Sequence, residues 1–419
     1  MKFLKSVVTS KEELVDTVYL IVLQGFNQLL PLFVMPYLMK VLGAGGYGEI
    51  GYALAVIQYI DLIVTFGFNL SATKLIAQSG DDKNQYSTYF WNVVCAKLLL
   101  LLASCLLLFF ATEFVPSIHK YKYVIYATLP MAVGSAFTFM WFFQGMGMVR
   151  LFSILNTCSK ILLLPLVFFF VKDESDVIWA AFLQASVFVL TAIISNIYIL
   201  KKKILVWKAP SIKGVLHVVK DSFPLFLSTA STSVYTQFFV VVLGFYCTSE
   251  MIGRYTSAER IMRALVFLVY VPISQAFYPR ISKQVCQNYS LARENFRNAL
   301  YVTGICMFCI GVFIFFGGDY IAEWLGGAYK GLDDILRIMA FVPLAIGVGG
   351  ILGQMGLIAM GTNTDKLHFR NVYFYVALIS LVTVLPLVAN FYETGAAIAL
   401  LVSEWLVLIF MLFYNVKKK

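Results

Sequence analysis

Asp61 stands in an apolar run with Gln58 three positions before it and Thr65 and Asn69 four and eight positions after it, a spacing that gathers all four on one helical face. Gln24, Asn27 and Gln28 repeat the pattern at i, i+3 and i+4 in an earlier run. Pro31 and Pro36 follow and interrupt that helix's hydrogen-bond ladder. Later, Glu259, Arg260 and Arg263 crowd into one run, and hydroxyls at Ser228, Thr229, Ser231, Thr232, Ser233 and Thr236 line another. Lys97, Lys160 and Glu404 lie within further runs, with Ser153, Asn156 and Thr157 leading up to Lys160. Taking an ionised group to the centre of a bilayer costs about 2.5 to 3.5 kcal/mol on insertion scales, so such groups mark water-filled paths or neutralise one another.

The balance of sign points to the chemistry. Arg260, Arg263 and Lys160 outnumber Asp61 and Glu259, which describes a chamber hospitable to an anion, and guanidinium groups meet phosphate oxygens two at a time. Glu259 and Arg263 are also an i, i+4 pair able to neutralise each other. The amides either solvate a polar cargo or hold helices together by hydrogen bonds worth about 0.6 kcal/mol each. Spacing alone does not choose between them. Lys97 is expected to snorkel towards the cytoplasm.

Other chemistries find no support. His119, His217 and His368 are scattered, and the seven cysteines have no zinc spacing; Cys306 and Cys309 lie inside an apolar run where small-residue packing is their expected role. No GxxxxGK[ST] loop is present for nucleotide hydrolysis. No metal, cofactor or catalytic group is expected. Work done by such a chain must draw on an ion gradient, the membrane potential or the substrate's own gradient.

The elements carrying these residues are membrane spans. Of the 419 residues 60% are hydrophobic and 13% charged, with mean hydropathy +0.83, against roughly 45 to 50% and about 25% in soluble domains. Apolar runs long enough to cross about 30 Å of hydrocarbon recur at 17–39, 48–70, 88–112, 123–144, 150–171 and 177–199, then at 222–247, 257–279, 297–317, 335–360, 369–389 and 395–414. The expectation is an all-α membrane protein of twelve spans. MKFLKSVVTSKEELVD has no apolar core before a small-residue cleavage site, so no cleaved leader is expected. Lys and Arg number 21 in the segments on the N-terminal side against 6 on the other, which puts both termini in the cytoplasm. That asymmetry accounts for most of the net charge of +10, and no nucleic-acid partner is inferred from it.

Residues 200–221, LKKKILVWKAPSIKGVLHVVKD, form the longest segment between spans and divide the chain into six-span lobes at 1–199 and 222–419. The segment either lies on the anionic inner leaflet or is a solvated linker. The lobes are faintly alike. Gly48 aligned with Gly253 sets Tyr52 to Tyr59 beside Ser257 to Ala264, so that Arg263 falls opposite Gln58; Pro130 meets Pro343 and Pro165 meets Pro386 further along. Lobes of six spans share one orientation and make a parallel repeat, with a substrate site between the repeats. Gly347, Gly349, Gly350, Gly353 and Gly356 in span ten are expected to permit close helix packing.

PYLMKVLGAGGYGEIGYA (36–53), IQYIDLIVTFGFNLSATK (57–74) and YFWNVVCAKLLL (89–100) resemble the N-terminal lobe of Wzx-type polysaccharide or O-antigen flippases of the multidrug/oligosaccharidyl-lipid/polysaccharide exporter superfamily. The resemblance is strong over about residues 20–170 and elsewhere rests on span count and weak repeat. It implies a V of two six-helix bundles around a central cationic cavity lined by spans one, two, seven and eight. It further implies transfer of an undecaprenyl-pyrophosphate-linked oligosaccharide across the bacterial inner membrane by alternating access. On that reading Arg260, Arg263 and Lys160 hold the pyrophosphate, and Gln24, Asn27, Gln28, Gln58, Asn69, Ser228 and Thr232 line the sugar cavity. Asp61 and Glu259 couple the cycle to H+ or Na+, and polysaccharide polymerase machinery is a further partner. A multidrug or cation antiporter of the same fold is the nearest alternative, though acidic cavities suit it better. A lipid-linked oligosaccharide polymerase is less compatible, since the segments outside are short.

Overall fold

The computed structural model describes the backbone of residues 11–417, and the side chains of these except 11–29, 32, 228, 231, 232, 234–236, 286 and 363. Among the described residues the chain is almost wholly helical, without strands. The helices are α1 (Lys11–Thr65), α2 (Phe68–Gln78), α3 (Lys83–Phe114), α4 (Pro116–His119), α5 (Lys122–Phe137), α6 (Met140–Gly145), α7 (Val149–Leu163) and α8 (Val167–Phe170). Then come α9 (Val177–Lys201), α10 (Ile212–Tyr246), α11 (Ser249–Gln287), α12 (Tyr289–Leu325), α13 (Leu332–Met339), α14 (Val342–Ile351) and α15 (Asn363–Lys417). A π-helical stretch, Leu352–Ala359, continues α14.

This is a multi-pass membrane protein. By length and composition, nine stretches among the described residues can cross a bilayer, against the twelve expected; two of the twelve are joined to a neighbour, and the span expected at 222–247 lies partly outside the described side chains. Phe33–Gln78 turns at Gly43 (φ 64°, ψ −178°) and Thr364–Lys417 turns at Tyr392 (φ 52°, ψ −132°). Gly43 takes its positive φ without a Cβ clash, whereas Tyr392 needs outside support for a conformation side chains disfavour. It has that support next door. Glu393 accepts from Arg254 Nε at 3.2 Å, a largely buried ion pair that ties the α15 turn to the start of α11.

Close contacts divide the chain into two units. The first takes Tyr52–Ser233 with the residues up to Leu42, the second takes Gly43–Gly51 with the residues from Val234 onward. In the first, Phe68 of α2, Phe90 of α3, Trp141, Phe142 and Phe143 of α6 and Phe152 of α7 form an aromatic core. Within hydrocarbon such a core gains from close packing more than from expelling water. Residues 204–211 are strapped to α3 by their backbone: Tyr86 Oη donates to the Ile204 carbonyl (2.9 Å) and Trp91 Nε1 to that of Val206 (3.0 Å). Ser87 Oγ and Asn92 Oδ1 accept from the amides of Val206 and Ser211, both at 3.1 Å.

In the second unit the span-ten glycines serve close packing. Gly350 faces Tyr270, Gly353 faces Phe369 and Gly356 faces Asn415, whose Nδ2 donates to the Leu352 carbonyl at 3.1 Å. Near the Gly43 turn the second limb of α1 crosses α11 backbone to backbone. A Cβ at Gly48 would strike the Ser249 carbonyl oxygen, one at Gly253 would strike that of Ala44, and one at Gly51 would come within 2.8 Å of Thr256 Cγ2. Residues 44 and 249, 48 and 253, and 51 and 256 are each 205 positions apart, the offset of the sequence repeat.

Candidate functional site

Each unit holds its own buried cluster of opposite charges. In the first, Asp61 on the second limb of α1 meets Lys97 of α3 and Ser135 of α5. Lys97 is 1% exposed and its Nζ donates to the Ser135 carbonyl at 2.7 Å. The Lys97 charge and the Ser135 hydroxyl both act on the Asp61 carboxylate, while Asp61 Oδ1 is buried with no hydrogen-bond partner. The snorkelling expected of Lys97 is therefore wrong. A carboxylate on α1 and a carbonyl that accepts its hydrogen bond hold the ammonium inside, where an unneutralised Asp61 would be costly.

The single polar stripe from Gln58 to Asn69 is also interrupted. Phe66 (φ 40°) and Gly67 (φ 75°) break the helix, so half-buried Gln58 and Asp61 stay on α1 while exposed Asn69 begins α2. Thr65 Oγ1 bonds back to the Asp61 carbonyl at 2.8 Å, and the Phe66 ring stacks on Phe226 with centroids 4.4 Å apart. These local bonds end the helix where the residue pattern would run on. Lys160 is half-buried on α7, one turn beyond buried Thr157, and Thr191 of α9 donates to Asn156 Oδ1 on the same helix at 3.5 Å. Gln24, Asn27, Gln28, Ser228 and Thr232 have side chains outside those described.

The second cluster is built by α11 and α15. Arg263 Nε donates to Glu259 Oε1 at 2.9 Å, making the i, i+4 pair that spacing allowed. Glu404, 5% exposed on α15, attracts the same guanidinium, and the buried Tyr255 hydroxyl, without a hydrogen-bond partner, stands in the field of all three. Two carboxylates thus share one arginine. Arg260 is different. Its Nη1 donates to Tyr47 Oη at 2.9 Å and its guanidinium lies 5.3 Å from the Tyr47 ring centroid, and no carboxylate among the described residues pairs with it. An arginine lying over an aromatic face keeps donors for a second partner, and cation–π attraction reaches about 2 kcal/mol when desolvated.

Three participants escaped the sequence reading. Tyr47 was hidden in the Gly-rich turn, with only its place beside Gly48 to mark it. Lys97 was visible but assigned outward, and Glu404 was visible without a partner until α15 met α11. Chemically, the first cluster offers a buried carboxylate beside an ammonium and a hydroxyl. The second offers Arg260 as a hydrogen-bond donor to an anion, beside an arginine shared by two carboxylates.

Comparison with known proteins follows the same lines. The family described as "Polysaccharide biosynthesis protein" matches residues 14–285. An Escherichia coli (strain K12) protein described as "Putative O-antigen transporter" is 30% identical over 95% of both chains. A solved structure titled "Lipid II flippase MurJ, inward closed conformation" has a TM-score of 0.74 at 18% identity, covering 96% of this chain and 87% of that one. An inward-facing MATE family multidrug resistance transporter of the MOP superfamily has a TM-score of 0.72 at 16% identity, covering 95% of this chain and 97% of its own. The chain shares the fold of these two solved structures.

Proposed function

Starting from the fact that this chain belongs to the polysaccharide biosynthesis protein family, we propose that it is a flippase for a lipid-linked oligosaccharide, carried on undecaprenyl pyrophosphate, in the bacterial inner membrane. The cargo passes from the cytoplasmic to the periplasmic leaflet by alternating access between lobes 1–199 and 222–419, and both termini are cytoplasmic. No covalent step is involved. The observation that carries this reading is Arg260: a guanidinium within a span, held by Tyr47 and unmatched by any carboxylate among the described residues. A pyrophosphate supplies the two-oxygen partner it lacks. Lys160 assists, Gln24, Asn27, Gln28, Gln58, Asn69, Ser228 and Thr232 meet the sugar, and Arg263 is held by Glu259 in the resting state. Asp61, balanced against Lys97, couples the cycle by exchanging a proton or Na+, with Glu259 as a second acid.

In a strain lacking the gene, surface polysaccharide should disappear while the lipid-linked unit accumulates on the cytoplasmic face, and the native chain should restore it. Arg260→Ala should express and insert but fail to restore polymer. Full restoration by that variant would remove the anion site. The excess of carboxylates around Arg263 favours a second reading, an antiporter of cationic compounds. It requires that expression raise resistance to lipophilic cations, an effect the flippase does not produce.

A further inference from the structure

The basic strap between α9 and α10 is more than a connection. It holds Lys201, Lys202, Lys203, Lys208, Lys213 and Lys220 with one carboxylate, Asp221, which already pairs with His217 at 3.2 Å. Positive-inside retention needs only such charges; it does not need apolar side chains left in the open. Yet Trp207 is 68% exposed, Ile212 82% and Leu216 63%. Trp207 stands edge-on to Trp91 with centroids 4.4 Å apart, and the backbone around it is pinned to α3, so this exposure belongs to an ordered segment.

Helical geometry sorts the start of α10 into faces. Ile212, Leu216 and Phe223 fall on one stripe, the exposed Lys213 and Lys220 flank it, and Val218 and Ser222 are buried on the opposite side. An apolar stripe edged by lysines, next to an exposed indole, is the pattern of a helix lying at a lipid headgroup boundary. At 35 residues α10 is about 52 Å long, well beyond a hydrocarbon core of about 30 Å, so its first turns fall within the headgroup region.

We propose that residues 200–220 are a docking surface for anionic phospholipid headgroups. Lys201, Lys202, Lys203 and Lys208 engage the phosphates while Trp207, Ile212 and Leu216 enter the acyl boundary. Charge complementarity selects the occupant, since the strap has no free acid to welcome a cationic or protein partner of the same sign. The choice of the inner leaflet rests on the cytoplasmic sidedness proposed above; the lipid chemistry does not.

The test uses the purified full-length chain in mixed micelles, with phosphatidylglycerol and phosphatidylcholine retention read by native mass spectrometry. The native chain should retain phosphatidylglycerol preferentially. Changing Lys201, Lys202, Lys203 and Lys208 to Gln should weaken that preference by about fivefold for each lysine that contacts the surface, and changing them to Arg should keep it. In bilayers with brominated acyl chains, the emission lost on Trp207→Phe should be the quenched component. Equal retention of both lipids by the native chain, an undiminished preference in the Gln variant, or an unquenched Trp207 would each overturn the proposal. Sidedness is read separately by labelling Ala209→Cys with a membrane-impermeant maleimide. Reaction in opened vesicles but not in intact cells supports the inner leaflet, and reaction in intact cells overturns that assignment.

Discussion

Lys97 and Asp61 show how a buried pair differs from two buried charges. Removing one partner of such a pair typically costs about 3 to 5 kcal/mol because the other is left uncompensated, whereas removing both can be nearly neutral. Lys97→Met should therefore lower the thermal stability of the purified protein sharply, and Asp61→Asn in the same chain should restore most of it. Transport should stay lost in the double variant. An unfolding midpoint unchanged by Lys97→Met would show that the pair contributes nothing to the fold. Every charge involved was visible in the sequence, as was the cost of burying it. What one chain could not supply was the partner, because pairing Lys97 with Asp61 needs α3 beside the second limb of α1. For Glu259 and Arg263 the partner was four residues away, and the pair was legible.

At the scale of elements, turns with glycine were readable and turns without it were not. The glycines at 43, 45, 46 and 48 suit a reversal, which falls at Gly43, whereas nothing in Asn390 to Gly395 marks Tyr392 as the residue that turns α15. That turn depends on a distant arginine. The break at Phe66 and Gly67 was missed because polar residues keep helical spacing across it and only one glycine interrupts them. Close approach by glycine has a measurable consequence at the α1–α11 crossing. Gly48→Ala should destabilise the protein by about 1 to 3 kcal/mol, the usual cost of forcing extra volume into a packed contact. Gly253→Ala should cost a similar amount alone and distinctly less in the Gly48→Ala background, since helices already separated need not separate again. Thermal melts of the two single variants and the double variant close that cycle, and strict additivity would mean that the two sites do not share one contact.

For the whole molecule, composition and lysine placement gave the class and an expected sidedness. Reporter fusions test the latter: alkaline phosphatase joined within 173–176 should be active, and joined after Lys208 it should be inactive. The opposite pattern, inactive within 173–176 and active after Lys208, would reverse the proposed topology. The twelve-span count came from apolar runs, and two pairs of those runs fall within single long stretches because helix continuity and membrane crossing are separate properties. Less legible was the company each segment keeps. Gly43–Gly51, which sequence order puts in the first lobe, packs with the second unit, and the strap to α10 is bound to α3. Both follow from contacts between residues far apart in the chain, which hydropathy does not record.

Gly48 meets Gly253 and Gly51 meets Thr256, each its own counterpart in the repeat, while Ala44 meets Gly253 and Ser249 meets Gly48. In a molecule that paired with an identical copy of itself, those would be the positions on the rotation axis, where one side chain meets its own image. A change there alters both sides of the contact at once, so a single glycine would have satisfied two surfaces. Gly48 and Gly253 share that one constraint, since neither can gain a Cβ unless the two backbones part.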